Sequence, residues 1–274
     1  MPRFKLTIEY AGTRYSGWQI QKNARTVQGE IDRAVRDITG RQDFELYGSG
    51  RTDAGVHALA QVAHLDVAGN IPADTLCRRL NDELPSDINV LSVEPAARRF
   101  HARHDAVARR YLYQVARRRT AFAKAYVWWV KDPLDIARMR SAAAAFVGMR
   151  DFQSFAERDD SHGAEGPEKS TLVLVDRLEI LEDGDLVLFS IEGSHFLWKM
   201  VRRMIGVLVE IGRGALDVDA AARFLTDKSA APARLTAPPS GLFLERVFYK
   251  DDARRRGIQS GPKLTPRISR TTSE

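Results

Sequence analysis

Hydrophobic and polar positions alternate strictly over residues 4–10, with Phe4, Leu6, Ile8 and Tyr10 on one side and Lys5, Thr7 and Glu9 on the other. That is the period of a strand covered on one face. Residues 11–22, with Gly12, Tyr15, Gly17 and Trp18, read as a loop. Thr26 is a plausible N-cap for a helix whose Val27, Ile31, Val35 and Ile38 share a face, and Gly40 closes it. A short strand at 44–47, a strand at 59–67, a helix opened by Pro72 and a strand at 88–93 follow. The pattern then repeats: a strand at 109–115, an alanine-rich helix at 136–146, strands at 172–181 and 186–192 hinged at Asp183-Gly184, a long helix at 196–211 and a strand at 242–249. Each run has the β-α-β-β-α-β order of ferredoxin-like folds. The chain therefore reads as an α/β (α+β) protein of two ferredoxin-like halves, residues 1–105 and 106–250. They form an extended antiparallel sheet with helices on one side and a central cleft. Residues 156–170 read as an exposed mobile loop, and 251–274 as a disordered tail.

Composition narrows the class. With 274 residues, 44% of them apolar, the chain can bury a substantial core, and no apolar run approaches the roughly 20 residues of a membrane span. The N-terminus leads straight into the first strand without a signal-peptide core, so the expectation is a soluble cytoplasmic protein with no membrane association. The single cysteine, Cys77, excludes an intrachain disulfide, and no Cys/His cluster has zinc-ligand spacing. The net charge of +6 is unevenly spread: residues 96–131 hold ten Lys/Arg against one acid, Asp105, and 250–274 hold seven against three, leaving the rest of the chain acidic. An acidic body with one concentrated basic segment suggests a polyanion tracked along a defined surface, and arginine, which dominates it, suits phosphate contact and base stacking.

Candidate chemistry gathers in Gly48-Ser49-Gly50-Arg51-Thr52-Asp53-Ala54-Gly55-Val56-His57-Ala58. One carboxylate, Asp53, stands between Arg51 and His57 on a stretch whose glycines permit tight turning, an arrangement that presents a side chain rather than a core. In the long late helix, Arg202 falls on the side of Trp198, Ile205 and Val209, whereas Arg203 falls toward Lys199 and Glu210 and can reach water. An unpaired buried guanidinium costs several kcal/mol, so Arg202 needs an anion. The pattern alone does not name it.

The string Gly-Arg-Thr-Asp-Ala-Gly-Val-His-Ala resembles the catalytic loop of the TruA family of tRNA pseudouridine synthases. So do Tyr10-Ala11-Gly12-Thr13-Arg14-Tyr15-Ser16-Gly17-Trp18-Gln19, Ala108-Arg109-Arg110-Tyr111-Leu112-Tyr113, Asp151-Phe152-Gln153-Ser154-Phe155, Phe196-Leu197 before Met200-Val201-Arg202, and Ala237-Pro238-Pro239-Ser240-Gly241-Leu242. The resemblance implies isomerisation of uridine to pseudouridine on the 3′ side of the tRNA anticodon stem-loop. Asp53 would be the nucleophile, Arg202 its ion-pair partner, and Tyr111 the aromatic on the target base, its hydroxyl able to accept or relay the C5 proton. It implies no metal, no organic cofactor and a homodimer that grips tRNA across both subunits. A cation beside a carboxylate favours its ionised form, which a nucleophile requires. Arg51, His57, Arg103, Arg109 and Arg110 are candidate substrate-binding residues, with Phe100-His101-Ala102-Arg103 a further family-like stretch. The chain departs from the family at Ser194-His195-Phe196-Leu197-Trp198-Lys199, where many bacterial members have Asn-Ala-Phe-Leu-His-His. Two competing readings remain: an RNA-binding protein without catalysis, and a nucleoside hydrolase acting through Asp53 on a small substrate.

Overall fold

The computed structural model of the chain describes residues 1–157 and 170–253. The first strand, β1 (Arg3–Tyr10), buries Phe4, Leu6, Ile8 and Tyr10 as its alternation predicts. Helix α1 (Val27–Thr39) starts where the Thr26 hydroxyl oxygen accepts the Gly29 N–H at 3.2 Å and ends where Gly40 turns left-handed. It sets Val27, Ile31, Val35 and Ile38 against the sheet. Strands β2 (Phe44–Gly48) and β3 (His57–Val67), helix α2 (Ala73–Glu83) and strand β4 (Ile88–Ala96) complete the first run. Cys77 is half-buried on α2, its thiol donating to the Val90 carbonyl.

The second run comprises β5 (Ala106–Ala116), β6 (Trp128–Trp129), α3 (Ile136–Ala143), β7 (Gly148–Asp151), β8 (Leu172–Asp183), β9 (Leu186–Gly193), α4 (Met200–Gly212), α5 (Ala220–Thr226) and β10 (Leu242–Tyr249). The sequence pattern leaves β6, β7 and α5 unannounced. The expected helix at 196–211 begins only at Met200, because Lys199 before it adopts a left-handed conformation (φ 60°). The expected loop at 156–170 falls mostly on 158–169 and the expected tail on 254–274, outside the described residues.

The strands form one sheet in the order β4-β1-β3-β10-β5-β9-β8-β7, with β2 also paired to β3 and β6 to β5. The arrangement β4-β1-β3-β2 recurs as β10-β5-β9-β8, which is the ferredoxin-like order twice over. The sheet is mixed rather than wholly antiparallel. Its halves meet where β10 runs parallel to β3 over two register pairs, Phe243 with His57 and Leu244 with Ala58. β2 covers only the far part of the same β3 edge, Ala63 to Val67, and so leaves the near end free for β10. A second parallel pairing joins β6 to β5.

Two hydrophobic cores lie under the helices. One gathers β1, β3, α1 and α2, and the other β5, β8, β9, α3 and α4. They interlock at the seam. Leu244, Val247 and Tyr249 of β10 belong to the first core, Val56 from the Asp53 loop belongs to the second, and Tyr111 packs against both. Along one row of the sheet, Ala58, Leu244, Tyr111 and Ile191 are register neighbours and share a face. Both helical layers therefore cover the same side, and Tyr111 sits between them.

Candidate active site

The Asp53 loop connects β2 to β3 and is supported by the turn that the sequence reads as a plain loop. Tyr15 and Trp18 of that turn are buried. The Trp18 N–H donates to the Thr52 carbonyl at 3.1 Å, and the Gly55 N–H donates to the Tyr15 carbonyl at 3.3 Å. Gly17 makes the approach possible: its φ is +91°, and a Cβ there would stand 2.5 Å from the Thr52 carbonyl oxygen. On the sheet side, the Tyr10 hydroxyl bonds the Thr52 hydroxyl at 2.8 Å. Gln61, fully buried, accepts from the Ser49 hydroxyl at 2.6 Å and donates to the Gly50 carbonyl at 3.1 Å. Tyr10 and Gln61 thus anchor the loop by its buried residues, leaving Asp53 partly exposed.

Asp53 and Arg202, 149 residues apart, meet at 3.3 Å between Oδ2 and Nη1. The same guanidinium donates from Nε to the Ala237 carbonyl at 2.7 Å, and the Ala237 N–H returns a bond to the Arg202 carbonyl at 3.1 Å. A strap at 235–237 therefore aims the arginine at the loop. The anion that Arg202 requires is Asp53. Arg203, expected to reach water, is instead the more enclosed of the pair: it donates to the Ala156 carbonyl and pairs with Glu157, which also takes Lys199 at 2.7 Å. The reversal follows from residues 156–157, which cover that side of α4. These three charges lie together, and the two cations hold the Glu157 carboxyl below its usual range, the Lys199 hydrogen bond being the largest cause.

Tyr111 projects from β5 beside this pair. The edge of Phe196 meets its ring at 5.2 Å and 84°. Burial pushes its phenol up to about 12, with Arg109 opposing the rise and Asp53 adding to it. Tyr113, two residues on, is wholly buried, and its hydroxyl donates to the Pro238 carbonyl, as befits a core residue. Phe196 and Ala237 stand in family-like stretches of the sequence, but their place in the site is not legible there, since one acts through its ring and the other through a backbone carbonyl.

The remaining candidates divide. Arg51 and Arg103 are exposed, line one cleft with Tyr47, Gly48 and Gly50, and make no side-chain hydrogen bond or ion pair among the described residues. Arg109 lies on the Tyr111 face, but its guanidinium donates to four carbonyls, those of Ser49, Arg103, Ala106 and Ser194. Arg110 alternates to the other face, where Nε and Nη2 grip one oxygen of Glu192 at 3.0 and 2.7 Å, away from Asp53. His57 is buried on that far face. Its Nδ1 accepts the Gly12 N–H at 3.0 Å, its Nε2 donates to the Ala125 carbonyl at 3.0 Å, and its ring stacks on Phe243. Burial lowers its pKa, so it is a neutral clamp between segments. The basic segment is likewise partly consumed within the fold, with Arg117 on Glu182 and Arg118 on Asp185. Among the described residues no group of three or more His, Cys, Asp or Glu side chains could hold a metal ion, and no helix is long and apolar enough to cross a membrane.

The family model described as tRNA pseudouridine synthase matches residues 6–105 and 142–250, which include Asp53 and Arg202; Tyr111 lies between the two matched segments. The chain is 42% identical to tRNA pseudouridine synthase A of Nitrobacter hamburgensis, over 91% of this chain and all of that one. It is 41% identical to the protein of that name from Rhodopseudomonas palustris, again over 91% and 100%. With the one from Limosilactobacillus fermentum the identity is 42%, over 92% of this chain and 98% of that one. Among solved structures, a Cbf5-Nop10-Gar1 complex overlaps loosely, at 12% identity and a TM-score of 0.33, covering 75% of this chain and 45% of that one. On the family match and these full-length relatives, the chain belongs to the tRNA pseudouridine synthase family.

Proposed function

We propose that this protein is a tRNA pseudouridine synthase that isomerises uridines on the 3′ side of the anticodon stem-loop, with Asp53 as nucleophile, Arg202 as its ion-pair partner and Tyr111 against the target base. The observation that carries this reading is the 3.3 Å contact between Asp53 and Arg202, which brings two family-like motifs from opposite halves together beside Tyr111. The reaction breaks a glycosidic C–N bond, turns the uracil and joins its C5 to the ribose C1′, with the C5 proton released and N1 protonated. The base must first leave its stack. A carboxylate oxygen of Asp53 begins the sequence at C1′ or at C6. Because uracil departs as a delocalised anion, a second carboxylic acid of the glycosidase kind is not required. The phenol of Tyr111, raised to about 12, is neutral at working pH and serves the C5 proton as a relay rather than as a standing phenolate. Arg51 and Arg103, whose guanidinium groups have no hydrogen-bond or ion-pair partner among the described residues, contact RNA phosphates. In this reading the enzyme is cytoplasmic, needs no cofactor and works as a homodimer.

The test is tritium release from tRNA labelled at uracil C5, with free uracil assayed in parallel. Wild type is expected to release tritium without free uracil, and Asp53→Asn to bind tRNA with release below detection. Free uracil would point instead to a hydrolase, and tight binding with no release from either protein to a non-catalytic RNA-binding role.

A further inference from the structure

The stretch at 101–105 carries Arg103, lies outside the strands and helices, and yet has every amide hydrogen accounted for. The His101 N–H donates to Asp105 Oδ2 at 2.9 Å, and the Asp105 N–H to the His101 carbonyl at 3.0 Å. The three amides between them have imidazole partners. The Ala102 N–H donates to His64 Nδ1 at 3.2 Å, and those of Arg103 and His104 both donate to His101 Nδ1, at 3.2 and 3.3 Å. A backbone N–H can only donate, so each Nδ1 must present a lone pair, and both rings must be neutral for the loop to keep this shape. The far side of the loop is tied to the active site, because Arg109 Nη2 bonds both the Arg103 and the Ser49 carbonyls.

We infer that His64 and His101 are positioning residues for a phosphate subsite formed by Arg103: as neutral imidazoles they hold the 101–105 loop, and protonation of either one releases it. The inference rests on the RNA-modifying reading above, and it predicts a sign opposite to simple electrostatics. Acidification adds positive charge to histidines and ordinarily strengthens the grip on a polyanion. Here it removes the acceptors that aim Arg103, so affinity for RNA falls.

The surroundings favour the neutral rings. His64, on β3, faces Tyr47 of β2, Arg3 of β1 with its partner Asp66, and His101 and Asp105 of the loop. Burial is the main cause that holds it down to about 4; Arg3 and His101 act in the same direction, while Asp66 and Asp105 oppose them. His101 faces Tyr47, His104, Arg103, Arg3 and Asp105. Its pKa is lowered, mainly by burial and then by His104 and Arg3, with Asp105 acting against them. A lowered native pKa means that the unfolded loop takes up protons first. The loop is therefore at full strength above about pH 6.5 and weakens as pH falls below it.

Two measurements decide it. In the free wild-type protein, hydrogen exchange of the 102–104 amides, corrected for intrinsic rates, is expected to lose protection between pH 7.5 and 5. Asn places an oxygen where Nδ1 stood and does not titrate, so His101→Asn is expected to lose less protection at Arg103 and His104 than wild type, with only His64 left to titrate. For binding, a fluorescently labelled tRNA transcript is titrated at fixed salt. Wild-type affinity is expected to fall by about threefold to tenfold from pH 7.5 to 5.5, the scale of one phosphate contact. Over the same range His101→Asn is expected to lose less affinity than wild type, since only His64 still titrates, and Arg103→Ala is already weak at pH 7.5. Wild-type binding that is flat or tightens on acidification, or amide protection that does not change with pH, would overturn the inference. Absence of tRNA binding by wild type at pH 7.5 would overturn the functional reading and the phosphate subsite with it, while exchange in the free protein would still judge the histidine clamp.

Discussion

On Tyr111 the ring and the hydroxyl can be separated by a single substitution. The ring packs against both cores and takes the edge of Phe196, so phenylalanine at this position keeps the platform on which a base would rest. The hydroxyl is what such a variant loses. Tyr111→Phe is expected to lower kcat by about 10²–10⁴-fold, the usual worth of a positioned proton-transfer group, while the Kd for tRNA stays within about twofold of wild type. Single-turnover rates and binding isotherms check the split, and a loss in Kd equal to the loss in kcat would reduce Tyr111 to a binding residue. The pH consequence has a definite sign. Burial raises the phenol from its ordinary value of 10 to about 12, so the stability tied to its proton is full below pH 10 and is lost as pH climbs from there through 12. Residue by residue, Asp53 and Tyr111 are legible in the sequence because each sits in a distinctive string. His57 is not, because an imidazole with both nitrogens committed inside the fold looks the same in one dimension as a ligand-binding one.

Helix α4 shows how an element carries a site. Its apolar positions put it under the sheet, and Gly206, one turn after Arg202, lets the strap at 235–237 lie directly on its backbone. A Cβ at Gly206 would stand 1.6 Å from the Leu235 carbonyl oxygen. Gly206→Ala must therefore move the strap whose Ala237 carbonyl holds Arg202 Nε. The expected cost is about 1–3 kcal/mol of stability from overpacking, a fall in Tm of roughly 2–12 °C for a chain of this size, together with slower turnover at unchanged tRNA affinity. Thermal melts and kinetics on the same preparation check it; a variant as stable and as fast as wild type would mean that the strap has room to shift without disturbing Arg202. The elements that periodicity reveals are those with one covered face and several turns or residues. β6 has two residues and β7 has four with no buried position, so neither contains a period to detect. The late start of α4 escapes notice because Phe196 and Leu197 continue an apolar pattern although the backbone at Lys199 is not helical.

At the scale of the molecule, Arg109 is a cross-tie. Its guanidinium holds carbonyls of the Asp53 loop (Ser49), the 101–105 loop (Arg103), its own strand (Ala106) and the segment before α4 (Ser194), and so joins the two halves at the edge of the cleft. Arg109→Met keeps the stem and strands those acceptors, at about 1–3 kcal/mol for each left buried without a partner. The variant is expected to melt earlier and turn over more slowly, yet to keep the wild-type slope of log K against log salt, since its charge is engaged inside the protein. Arg103→Ala should instead lessen that slope by about one. Salt titrations of both variants separate them, and a flattened slope in Arg109→Met would return Arg109 to the phosphate-binding set.

Along the sequence alone, the longer elements, their covered faces, the repeat of β-α-β-β-α-β order, the loop that presents Asp53 and the demand of Arg202 for an anion are determined, because each depends on period or on neighbours a few residues away. What the fold alone decided is long-range. It carried Asp53 to Arg202 across 149 residues, a pairing that the family resemblance implies and the residue pattern does not, and it joined the halves by a two-pair parallel seam, turned Arg110 to the far face, and enclosed Arg203 beneath residues 156–157. Periodicity records that a face is covered or a charge enclosed. It holds no information on which distant segment does the covering, and in this protein that choice assembles the site.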